Sequence, residues 1–126
     1  MAAAGKRAVW AGWVVSVLAC LLFLLSAAMK LKGGPDVAKG MEHLGIPDGM
    51  LIPLAILELA CVAIYLIPPT AVLGAVLLTG YLGGVICTHW RVGDPLHIPI
   101  VLGGFVWLGI YLRETRLKDV LPLRRG

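Results

Sequence analysis

Glu58 is the only charged residue between Gly49 and Thr88, and it stands in a run of leucine, isoleucine, valine and alanine. A carboxyl group in such surroundings must be neutral, be paired with a cation, or face a polar cavity. An ionisable side chain inside an apolar segment is by default a functional-site hypothesis. Lys30, His89 and Arg91 are the residues that could join it. Glu58 and His89 could exchange protons with a bound molecule, while Lys30 or Arg91 stabilises negative charge developing on it. Cys61 and Tyr65 follow Glu58 by one and two helical turns, so they share its face and extend a polar stripe that could bind a substrate. The competing reading is that these groups only glue helices together, worth roughly 1 kcal/mol per contact in a membrane bundle.

The elements that must position these residues are greasy. Of 126 residues, 60% are hydrophobic and 14% charged, whereas a soluble domain carries about 25% charged residues spread so that each element has a wet face. Ala8 to Met29 has no charge; as a helix it is about 33 Å long, enough for a hydrocarbon core of roughly 30 Å. The basic Lys6, Arg7 start resembles a signal peptide, with Ser26 and Ala28 as small residues before a cleavage point. The apolar run is too long for a signal h-region, and further spans follow it, so it is retained as the first helix. Pro68 and Pro69 break the next apolar stretch into a helical hairpin, because neither donates a backbone hydrogen bond and both bias the preceding residue away from helix. A shorter fourth segment runs over Ile98 to Leu112. The expected fold is all-α, a single four-helix transmembrane bundle with spans near 9–29, 50–67, 70–89 and 96–112. In the first loop, 30–49, Val37, Met41 and Leu44 recur at i, i+4 and i+7 between Pro35 and Gly45. That pattern predicts a short amphipathic helix over the bundle mouth, either a lid or an ordinary interfacial connector.

Orientation follows from the basic residues. Lys6, Arg7, Arg113, Arg116, Lys118, Arg124 and Arg125 outnumber Lys30, Lys32, Lys39 and Arg91 on the opposite side, which puts both termini in the cytoplasm. The basic tail from 113 to 126 suits an anionic lipid leaflet better than nucleic acid. In this topology Lys30, Glu58, His89 and Arg91 all belong to the outer half, with Glu58 about 12 Å below the outer surface. The inner half, around the proline turn, is expected to be plain packing. Trp10, Trp13, Trp90, Trp107 and Tyr111 fall near span ends, as interfacial aromatics do.

Two patterns point to packing. Ala75, Thr79, Gly83 and Cys87 recur every four residues, with Gly80, Gly84 and Thr88 on the adjacent row, a spacing that lets helices approach closely or forms a homodimer face. Cys20, Cys61 and Cys87 fall one per apolar segment without CxxC spacing, so no disulfide framework and no metal site is expected.

The stretches SAAMKLKG, LELACVAIYLIPPTAVLGAVLLTGYLGG, THWRVGDP and LRETRLKDVLPLR together resemble the DoxX-like family of small bacterial membrane proteins over nearly the whole chain. The resemblance implies a four-helix bundle in a bacterial inner membrane. It also implies kinship with membrane subunits of sulfur and quinone redox systems, although no cofactor motif is carried over. The leading functional expectation is a membrane-embedded polar site that performs proton- or redox-linked chemistry on a lipophilic small molecule such as a quinone. A stand-alone acid/base enzyme (isomerase, cyclase or hydrolase), a proton-coupled transporter and a non-catalytic assembly subunit are the alternatives. A homodimer or a larger membrane complex is compatible with each.

Overall fold

The computed structural model describes residues 5–117, in which there are five α-helices and no strand. Lys118, Arg124 and Arg125, on which part of the charge asymmetry rests, lie outside the described residues. The helices are α1 (Gly5–Lys32), α2 (Pro35–Leu44), α3 (Leu51–Leu66), α4 (Ala71–Arg91) and α5 (His97–Arg113). The long ones form a ring: α1 packs against α3 and α5, and α4 packs against the same two. Phe23, Val62, Tyr65, Leu78, Val106 and Ile110 fill its centre.

The outside of the ring carries many exposed apolar side chains. Leu18, Leu25 and Ile56 are 58%, 59% and 59% exposed. Only 28% of the most apolar stretch of α1 is buried, and the same share holds for the segment Pro68–Arg91. A core helix of a soluble protein would be mostly buried, so these two helices are long and apolar enough to cross a membrane and present their greasy surface outward. The two shorter apolar helices, α3 and α5, have 16 and 17 residues. Trp10 and Trp90 are each 71% exposed at helix ends, where an amphipathic ring can sit at headgroup level.

The hairpin between α3 and α4 forms because Ile67, preceding a proline, is held extended at φ −82°, ψ 116°. The chain then makes a single 3-10 turn over Pro68–Thr70. The Thr70 hydroxyl donates to the carbonyl of Ile64 at 2.9 Å, satisfying one of the acceptors that the end of α3 leaves free.

The predicted amphipathic segment is α2. Pro35 stands in its first turn, and Gly45 ends it at φ 72°, where the Gly45 and Ile46 amides reach back to the carbonyls of Glu42 and Met41. Val37, Met41 and Leu44 turn toward the bundle, with Leu44 buried, while the remaining positions are exposed. Gly33 and Gly34, both at positive φ, join α2 to α1; this is a backbone region that other residues enter only at a cost.

Candidate functional site

The structure brings Lys30 and Glu58 together. Lys30 Nζ lies 2.9 Å from Glu58 Oε2, with the two side chains 13% and 1% exposed. The last turn of α1 and the middle of α3 meet at the same end of the bundle, which is what makes the pair. Two further donors reach the same oxygen: the Ser26 hydroxyl at 3.3 Å and the Tyr81 phenol at 3.1 Å. Lys30 also donates to Ser26 Oγ at 2.6 Å, one helical turn back on α1. Tyr81 is aimed by an edge-on contact with Phe23, the ring centroids 6.4 Å apart.

This cluster forms part of the wall of a cavity of about 920 Å³ to which all five helices contribute. The volume lies within the range of small-molecule sites, which are mostly apolar with a few convergent polar groups. Phe23, Leu57, Leu82 and Leu102 supply apolar wall, and Val37 and Met41 of α2 cover it. Gly80, Gly84 and Thr88, expected to pack helices, instead line the cavity. A Cβ at Gly80, Gly83 or Gly84 would meet nothing within 4 Å, so these three glycines, from both rows, are not where helices approach closely. Gly83 and Cys87 are exposed, and only Ala75 and Thr79 take part in packing, Thr79 accepting from the Trp107 indole at 2.7 Å.

His89 lines the same cavity, but its partner is Asp94, at 2.9 Å from Nδ1. The other oxygen of Asp94 is 2.8 Å from Nε2 of His43, on α2. One carboxylate therefore ties α2 to the end of α4. Arg91 belongs to the same fastening: its guanidinium donates to the carbonyl of Leu44, at the last turn of α2, and so holds that helix in place rather than meeting Glu58.

The hydrogen bond from His43, and after it the one from His89, holds the Asp94 carboxyl below the ordinary carboxylate range. A depressed native value means the contribution is present above the unfolded value and is lost as the pH falls through the native one. The fastening of α2 should therefore persist from pH 7 down to about 4. Asp94→Ala should speed amide exchange across α2 at neutral pH by roughly two- to fivefold, the scale of an exposed pair, and leave α1 and α4 unchanged. Exchange in α2 of the variant indistinguishable from wild type would show that the carboxylate does not hold the helix.

Cys61 and Tyr65 do not reach the cavity. Cys61 is buried in the core. The Tyr65 hydroxyl donates to the Val106 carbonyl at 2.6 Å and lies 3.0 Å from Ser16 Oγ. The stripe on α3 is continuous, but its lower part faces α1 and α5 and its upper part faces the cavity. Nor is the proline-turn end plain packing. Arg113, the last residue of α5, turns inward with its guanidinium carbon 4.3 Å from the Trp13 ring centre and 4.5 Å from that of Tyr65. It donates to the Tyr65 carbonyl at 2.5 Å. Stacking between two aromatic faces compensates a cation that, through Nε and Nη1, has no other hydrogen-bond partner among the described residues.

Ser26, His43, Tyr81 and Asp94 are the site residues that sequence reasoning missed. Ser26 and Lys30 at i and i+4 were a readable signal, and Asp94 stands within the THWRVGDP stretch. Tyr81 was hidden among the glycines of a row read as packing.

Apolar helices turned outward around an interior ion pair define a helical membrane protein with a polar site in its core. The chain belongs to the DoxX-like family, whose model matches residues 14–110. No curated protein and no solved structure matches it.

Proposed function

We propose that this protein binds a lipophilic small molecule, such as a quinone, in the cavity beneath α2, and that Glu58 and His89 exchange protons with its polar head. The observation that carries the reading is the buried Lys30–Glu58 pair in the wall of an apolar cavity large enough for a ring and part of a tail. Lys30 stabilises negative charge on the ligand oxygen, Tyr81 and Ser26 hold the carboxylate in place, and Asp94 orients His89. In a redox conversion these residues handle the protons, and the electrons pass to or from a separate electron-carrying membrane subunit. In this reading α3 and α5 are also spans, helped by tilt or local bilayer thinning. Both termini face the cytoplasm of a bacterial cell, and α2 lies at the outer surface.

Titration of the detergent-solubilised protein with a short-chain ubiquinone and, separately, its quinol, followed by quenching of tryptophan fluorescence, tests the proposal. Saturable binding of at least one form is expected, weakened roughly tenfold or more by Glu58→Gln. Absence of saturable binding of both forms to wild type overturns it.

A further inference from the structure

All three donors around Glu58 converge on one oxygen. Lys30, Ser26 and Tyr81 each reach Oε2. Oε1 takes no hydrogen bond from any described residue, although the side chain forms part of the cavity wall. A carboxylate is an acceptor with room for several donors, so Oε1 presents an unanswered acceptor to whatever occupies the cavity. Beside it, Lys30 has three N–H groups and uses two of them, on Ser26 and Glu58, leaving one for a ligand. The site thus offers a strong acceptor and a charged donor side by side.

We infer that the cavity selects a lipophilic hydroxyl donor, a phenol or the quinol form of a quinone, over its acceptor-only counterpart; the inference rests on the reading above that a lipophilic molecule binds there. A hydroxyl group answers both groups at once, its O–H donating to Glu58 Oε1 while its oxygen accepts from Lys30 Nζ. The bond to the carboxylate is charge-assisted and correspondingly strong. A quinone carbonyl can accept from Lys30 but sets its own lone pairs against Oε1, and it leaves a desolvated carboxylate oxygen without a donor. One buried acceptor left unanswered weakens binding roughly ten- to hundredfold. The apolar walls contributed by Phe23, Leu57 and Leu102 suit the ring and tail of either form, so they raise affinity without discriminating.

Three ligands of nearly the same shape decide the matter: a short-chain ubiquinone, its quinol, and the quinol with both hydroxyls methylated, each titrated against wild type. The quinol should bind roughly ten- to hundredfold more tightly than the other two. Equal binding of all three, or tighter binding of the quinone, overturns the inference while leaving a lipophilic-ligand site standing. Failure of all three to bind removes the underlying reading and this inference with it. In Glu58→Gln the amide can donate as well as accept, so the preference for the quinol should collapse to within about threefold. Because the wild-type comparison needs no variant, it decides even if Glu58→Gln does not fold.

Discussion

Lys30→Met is expected to lower the folding stability of this protein by about 3–5 kcal/mol, the cost of leaving an interior carboxylate without its cation. The magnitude separates two roles. Were the residues around Glu58 ordinary hydrogen-bonding glue, loss of one contact would cost roughly 1 kcal/mol, as polar contacts in membrane bundles do. Ser26→Ala belongs to that smaller class, because Glu58 retains Lys30 at 2.9 Å and Tyr81 at 3.1 Å. Methionine keeps the length and apolar stem of lysine, so the packing of the last turn of α1 is conserved and the charge alone is removed. With Glu58 1% exposed, little solvent is available to take over from the ammonium. The double variant Lys30→Met/Glu58→Gln should regain most of the loss, since a neutral amide can still accept from Tyr81 and Ser26. Reversible unfolding of the detergent-solubilised protein measures all three. A loss near 1 kcal/mol for Lys30→Met, or no recovery in the double variant, would mean that Glu58 is not held as the charged partner of Lys30.

The pairing of Lys30 with Glu58 was legible because connectivity alone puts the end of α1 and the first half of α3 at one side of the bundle. The short helix α2 was legible for a local reason: Pro35, a periodic apolar face and Gly45 carry its start, its orientation and its stop within eleven residues. What depended on which faces meet was not legible. Tyr65 and Glu58 share a stripe on α3, yet one faces the ring's core and the other its cavity, and nothing in the spacing says where the boundary falls. Arg113 counted as one more basic residue of the tail, although its guanidinium turns back between Trp13 and Tyr65. The lining of the cavity by Gly80 and Gly84 likewise follows from where α2 and α5 leave space, not from a property of the row itself.

The same distinction between a small residue and a close approach yields the other large effect. Gly74→Ala should destabilise by about 3 kcal/mol, at the upper end of overpacking costs, whereas Gly83→Ala, nine residues along the same helix, should be neutral or stabilising by roughly 0.5–1 kcal/mol. A Cβ on Gly74 would lie 2.7 Å from Cβ of Tyr65 and closer still to its backbone, where α4 crosses the end of α3. Backbone cannot swing aside as the tip of a flexible side chain can. Moving it would pull the Tyr65 ring from its bond with Val106 and from the face of Arg113, so the strain spreads into the cluster that closes this end of the bundle. At Gly83 an added methyl meets nothing within 4 Å and only restricts the unfolded chain. Unfolding both variants under the same conditions compares two glycines of equal helix propensity on one helix. A cost at Gly74 no greater than at Gly83 would show that α3 and α4 do not approach there as closely as the structure places them.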